Sequence, residues 1–182
     1  MSQDNRQKAL TKWLSAATNT EQVVLEPLTG DAGFRQYFRF TTTSGQSLIA
    51  VDSPKDKCNN LAFVQIQACF LSQGIKVPVI IAKDEAQGFF CLSDLGNTLL
   101  ADKLTQASMT EMYMQAMTII PKIATAERPS KYDFPVFDRD FVQLELNIFS
   151  DWLLHHYLDI KTVDLEKLQT CFGVLIDNAL EQ

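Results

Sequence analysis

Histidine is almost missing from this sequence: His155 and His156 are the only two in 182 residues. The four cysteines, Cys58, Cys69, Cys91 and Cys171, are scattered, with no C-x-x-C spacing and no histidine partner nearby. That excludes a zinc site of the usual Cys/His kind and a disulfide framework, and leaves the reduced thiols of a cytosolic protein. Excess positive charge is absent as well. Sixteen Lys and Arg stand against 22 Asp and Glu, a formal net charge of −6. Such a balance argues against a nucleic-acid partner or an anionic membrane surface. No apolar run approaches the ~18 residues that a membrane-spanning helix needs. The opening MSQDNRQKAL is polar and carries acid, unlike a signal peptide. Repeats and low-complexity tracts are also lacking.

What remains is the balance of an ordinary globular protein, 46% hydrophobic and 21% charged, long enough to bury a core. Residues 6–17 suit a short amphipathic helix, with Ala9, Leu10, Trp13 and Leu14 on one side. Gln22 to Leu25 reads as a strand. Tyr37, Arg39 and Thr41 alternate with Phe38, Phe40 and Thr42, the period of two of a half-buried strand. Ser44-Gly45-Gln46 supplies a turn into a second apolar strand, 47–51. Asn59 to Gln73 has Phe63, Ile66, Phe70 and Leu71 at helical spacing, with Gly74 placed to end it. Two further strands, 79–82 and 89–92, flank a turn from Asp84 to Gly88.

Beyond Gly96 the pattern is helical only: 109–125 with a break at Pro121, then 138–158, then a helix capped by Asp164. The expected architecture is α+β, a five-stranded antiparallel lobe carrying one helix (residues 1–93), followed by a partial helical lobe (94–182). His155 and His156 are expected as partly packed helix residues, and Asp138 as an N-cap. Asp138, Asp140, Glu145 and Asp151 take no catalytic role, since charge on a helix is usually its wet face.

Two segments carry the functional signal. Thr29-Gly30-Asp31-Ala32-Gly33 lies in a strand–loop–strand, where glycines allow backbone N–H groups to approach phosphates. An ordinary hairpin fits the same residues. Ser93-Asp94-Leu95-Gly96 joins the two lobes and is a candidate hinge, and clefts between lobes favour ligands.

Taken together, LTGDAGFRQYFRF, SLIAVDSP, GIKVPVIIAKDEAQGFFCLSDLG and LELNIFSDWLL resemble the aminoglycoside-phosphotransferase-like small-molecule kinases. Within that protein-kinase-like group they resemble the bacterial amino-sugar kinases. Those enzymes phosphorylate N-acetylmuramate and N-acetylglucosamine at the anomeric position in peptidoglycan recycling. The resemblance implies that Gly30, Asp31, Ala32, Gly33, Phe34 and Arg35 form a phosphate-covering loop. It implies that Ser93, Asp94 and Leu95 pair with the adenine edge, and that Phe90 and Leu92 line the adenine pocket. ATP and Mg²⁺ follow as cofactors, a sugar as the small-molecule substrate, and the cytoplasm as location. Other acceptors of the superfamily, such as an aminoglycoside, a choline-like alcohol or homoserine, are alternatives, as is a non-catalytic nucleotide-binding module.

The sequence departs from the kinase pattern in two ways. The strand Leu48-Ile49-Ala50-Val51-Asp52 has no lysine, and the helix 59–73 has no glutamate to pair with one, only Gln65 and Gln67. Arg35, Lys55 and Lys57 are the cations that can stand in, and Asp52 is expected to cap a turn at Pro54. The second departure is a catalytic loop of the form H-x-D-x-x-x-x-N, which the sequence does not contain. The chain thus reads as the N-terminal portion of such a kinase, truncated before the catalytic residues and metal ligands and inactive alone. Phe172, Leu175 and Ile176 are expected to lack part of their cover, giving an apolar surface prone to self-association.

Overall fold

The computed structural model describes residues 3–29, 33–161 and 164–181. Its centre is a five-stranded antiparallel sheet built from β1 (Glu26–Pro27), β2 (Gln36–Thr41), β3 (Ser47–Asp52), β4 (Ile80–Asp84) and β5 (Phe89–Ser93), in the order β1-β2-β3-β5-β4. Helix α1 (Gln3–Thr18) precedes it, and α2 (Asn60–Ser72) connects β3 to β4. The α+β architecture is the one expected, with one addition: two helices pack on the sheet, one per face.

Strand alternation assigns each face. Phe38, Phe40, Leu48, Ala50, Phe89 and Cys91 point to one side and bury Leu10 and Leu14 of α1. Ile49, Val51, Phe90 and Leu92 point to the other and pack on Phe63 and Val64 of α2. Because both faces are covered, β3 and β5 read as continuous apolar runs and not as alternating ones. The β2–β3 turn is closed by Gly45 at φ 83°, with the Thr42 N–H donating to the Gln46 carbonyl.

Residues 22–25 do not form the strand expected of them. The ladder to β2 starts at Glu26, opposite Arg39, while Val23 and Leu25 pack side-on against the α1-face core. Their apolar character serves burial, not pairing. Helix α2 is bounded as expected: the Asn59 side chain accepts from the Ala62 N–H, and Gly74 follows at φ 69°.

The chain forms two compact units, Met1–Tyr132 and Asp133–Gln182. The expected division after residue 93 followed the change from strands to helices. The first unit extends past it to include α3 (Leu100–Lys103), α4 (Met109–Met117) and α5 (Ile120–Ala124), with Pro121 in the first turn of α5. The second unit holds α6 (Arg139–Ile148), a π-helix (Phe149–Tyr157) and α7 (Leu165–Leu180). Asp138 and Asp164 cap α6 and α7, accepting from the Phe141 and Lys167 N–H groups. The single helix expected over 138–158 is therefore α-helical for half its length and π-helical beyond. His155 and His156 are exposed, correcting the packed reading, although the His156 ring meets Trp152 edge-on at 5.1 Å. The expectation that Phe172, Leu175 and Ile176 lack cover holds only for Leu175: Phe172 and Ile176 are buried, Phe172 against Phe149.

Candidate functional site

A cavity of about 670 Å³ opens where the start of β2 faces α2. Its polar side comes from the chain just after the glycine loop. Gly33, Phe34, Arg35 and Tyr37 line it, with Lys57 and Asn59 opposite. Its apolar wall is the inward stripe of α2, Phe63, Ile66 and Phe70, at helical spacing. A concave, mostly apolar site with a few converging polar groups is what small-molecule binding requires.

Arg35 is held by the fold and not left as a solvated charge. Nε donates to Ser53 Oγ at 3.0 Å, and Nη2 donates to the Asn59 carbonyl at 3.1 Å. The guanidinium lies 5.0 Å from the centre of the Phe63 ring, a cation–π distance. Ser53, fully buried, is itself fixed: its Oγ donates to Asn60 Oδ1 at 2.5 Å, and its carbonyl accepts from Asn60 Nδ2 at 2.9 Å. Lys57 instead is exposed, its Nζ 4.9 Å from the ring centre of Phe34, itself exposed.

Asp52 does not cap the turn at Pro54. Its buried carboxylate receives the Arg6 guanidinium of α1, with Nε 3.0 Å from both oxygens and Nη2 also donating. Arg6 lies over the Phe89 ring and donates to the Gln87 carbonyl at 2.9 Å as well. A buried carboxylate is costly unless paired, and here the Arg6 guanidinium supplies the pairing charge.

At the candidate hinge, Asp94 accepts four hydrogen bonds. Arg39 Nε and Nη2 donate at 2.7 and 3.0 Å, Ser47 Oγ at 2.5 Å, and the Gly96 N–H at 2.9 Å. The Arg39 guanidinium, then the Ser47 hydroxyl, hold the Asp94 carboxyl well below the usual carboxylate range. Ser93 is tied to Val79, the residue just before β4, by its N–H, which donates to the Val79 carbonyl at 2.9 Å. Leu95, between these anchors, is exposed, and its backbone groups make no backbone hydrogen bond among the described residues.

Gly30, Asp31 and Ala32 lie outside the described residues. Of the other loop positions, Gly33, Phe34 and Arg35 face the cavity together. Phe90 and Leu92 are buried in the α2-face core, Phe90 edge-on to Phe63 at 5.4 Å. Tyr37, Ser53, Asn59 and Phe63 were not among the sequence-level site residues. Tyr37 had a signal, sharing a strand face with Arg39; Ser53 and Asn59 had none, since each acts through a contact across the fold. Cys91 is buried in the opposite, α1-side core, which pushes its thiol up to about 11 and keeps it protonated and unreactive near neutral pH. Among the described residues no three His, Cys, Asp or Glu side chains converge as a metal site, and no helix is long and apolar enough to cross a membrane.

A five-stranded antiparallel sheet with a helix after the third strand, then a hinge and helices, is a protein-kinase-like fold. Among solved structures it is similar to that of the streptomycin–ATP ternary complex of APH(2")-IIa, an aminoglycoside phosphotransferase, with a TM-score of 0.54. That match has 11% identity and covers 93% of this chain and 58% of that one. No family model matches the chain. It is similar in sequence to three curated proteins named N-acetylmuramate/N-acetylglucosamine kinase. The one from Pseudomonas aeruginosa is 29% identical, over 100% of this chain and 56% of its own length. That from Neisseria meningitidis serogroup B is 30% identical over 82% and 45%, and that from Pseudomonas putida 29% over 98% and 56%. The chain thus spans about half the length of these relatives.

Proposed function

We propose that these 182 residues are the nucleotide-binding part of an ATP-dependent phosphotransferase whose acceptor is a cell-wall amino sugar, N-acetylmuramate or N-acetylglucosamine. The observation that carries this reading is the similarity to kinases of that one name across nearly the whole chain, on a kinase-like fold. The site's chemistry agrees with it. The cavity falls within the size range of small-ligand pockets, has an apolar wall for a flat base, and is lined by the Arg35 guanidinium, which suits phosphate. The hinge lies outside the cavity lining and the Ser93 N–H is taken by the Val79 carbonyl, so in this reading the backbone groups of Asp94 and Leu95 meet an adenine edge, with Phe90 and Leu92 buried in the α2-face core. ATP therefore fits the residues present. For Mg²⁺ the described residues supply no cluster of three His, Cys, Asp or Glu ligands.

In this reading the chain's residues bind and orient the nucleotide, and the acceptor deprotonation that phosphoryl transfer needs has no H-x-D-x-x-x-x-N aspartate in this sequence. These residues by themselves bind without turnover. The complete activity belongs to peptidoglycan recycling in the cytoplasm, and apolar helix residues described below give this chain a tendency to self-associate.

Calorimetric titration with a non-hydrolysable ATP analogue and Mg²⁺ tests the reading. Saturable one-to-one binding is expected, with no phosphate transfer to N-acetylglucosamine when ATP is supplied. A folded chain that binds no analogue overturns the nucleotide assignment.

A further inference from the structure

Kinase folds usually hold the nucleotide phosphates with a strand lysine that is itself paired to a glutamate on the following helix. The pair does two jobs: it brings positive charge to the phosphates, and it ties that charge to the position of the helix. In this chain β3 and α2 supply neither residue. We propose that Arg35 does both jobs, as the cation for the nucleotide phosphates and as the tether of the chain entering β2 to α2.

Three observations select Arg35 over the lysines. First, its guanidinium is anchored at both places the missing pair would join. Nε reaches Ser53, the residue directly after β3, and Nη2 reaches the carbonyl of Asn59, the N-cap of α2. The stack on Phe63 adds a contact one turn into α2. Secondly, the anchor cannot swing away. Ser53 is fully buried, its N–H donates to the Gly88 carbonyl at 2.8 Å, and the Asn60 amide holds its other polar atoms. Thirdly, the fork is not exhausted. A guanidinium has five N–H donors, and two are used, so three have no acceptor among the described residues while the side chain lines the cavity. Planar donors of that kind suit a phosphate. Lys57 has charge but no tether: it is exposed, on a flexible stem over Phe34, with no carboxylate partner among the described residues. Lys55 is exposed and outside the cavity lining.

The inference rests on the nucleotide reading above and makes a narrower claim: charge alone at position 35 is not enough. Arg35→Lys keeps the charge and loses the fork. Ser53→Ala keeps Arg35 and loses one anchor. Each is titrated with adenosine, which has no phosphates, and with the non-hydrolysable ATP analogue, beside wild type and Lys57→Ala. Arg35→Lys is expected to weaken the analogue roughly ten- to a hundredfold while adenosine binding is unchanged. Ser53→Ala is expected to shift the same ratio in the same direction. Amide exchange in the first turn of α2 supplies a second readout: the analogue slows it in wild type and not in Arg35→Lys. Unchanged adenosine binding shows that each variant is folded. Wild type binding both ligands, with Arg35→Lys equal to it, overturns this inference alone. So does a loss confined to Lys57→Ala, which would make Lys57 the phosphate cation. A wild-type chain that binds neither ligand overturns the nucleotide reading and this inference with it.

Discussion

At Ser53 four parts of the fold meet through single atoms: the end of β3, the start of α2, the exit of the glycine loop and the turn before β5. The approach of that turn is made possible by Gly88. Its φ is 73°, and a Cβ built on it would lie 2.1 Å from the Ser53 carbonyl oxygen. Backbone cannot yield as a flexible side chain can, so Gly88→Ala combines a strained dihedral with a collision. The expected cost exceeds about 1 kcal/mol and shows as a lower urea midpoint. A wild-type midpoint in that variant would mean the turn can move away from β3. Asp94 carries a second residue-scale prediction, in pH. Its carboxyl titrates below the usual range in the folded chain because Arg39 and then Ser47 favour the ionised form, and near about 3.9 when unfolded. A depressed folded value means stability that is present above the unfolded value and lost as pH falls through the folded one. Asp94→Asn should therefore lie below wild type by about 1–3 kcal/mol at pH 7, the size of charge-assisted hydrogen bonds. The gap should begin to narrow as pH falls below about 3.9 and close only as pH approaches the much lower folded value. A gap that stays constant down to pH 3 would assign the effect to packing and not to charge.

Among the elements, α1 owes its place to burial of Leu10 and Leu14 and to one polar tie, Arg6 to Asp52. Removing Arg6 leaves a buried carboxylate unpaired, which costs more than the pair is worth when intact. Arg6→Ala is expected to destabilise by about 2–3 kcal/mol. Arg6→Ala with Asp52→Asn should recover part of that loss in the same unfolding assay. If the single variant matches wild type, α1 is held by its apolar face alone. That tie also marks the limit of what the sequence makes legible. The strands β2, β3 and β5, helix α2 and its caps, and the caps of α6 and α7 follow from local rules of period, apolar runs and turn residues. Arg6 and Asp52 are 46 positions apart, so no periodicity links them. The same reason hid the roles of Ser53 and Asn59. Residues 22–25 failed differently, because an apolar segment packing side-on and a short edge strand have one pattern. The π-helix after Ile148 has no local signal either, since its residues 149–157 are as apolar as an α-helix would be.

Across the whole molecule, cover is uneven. In the sheet region a helix covers part of each face, α1 over Phe38, Phe40 and Phe89 and α2 over Phe90 and Leu92. Elsewhere the helices bury little. In the first unit Met114 is 60% exposed and Met117 is exposed beside it in sequence; in the second, Leu144, Trp152 and Tyr157 are exposed, Tyr157 to 79%. Single exposed apolar residues are ordinary, but amphipathic helices that leave their larger apolar side chains in water gain by meeting another apolar surface. With a net charge of only −6 over 182 residues, repulsion between copies is weak at physiological ionic strength. Sedimentation velocity over a hundredfold range of concentration should show a weight-average coefficient that rises with concentration. Leu144→Glu with Trp152→Glu should flatten that rise while leaving nucleotide binding intact, because both residues lie outside the cavity and the hinge. A monomer at every concentration, with no binding of an apolar-surface dye, would show that these side chains are stable in water as they stand. In that case the sheet region alone would carry the fold's stability.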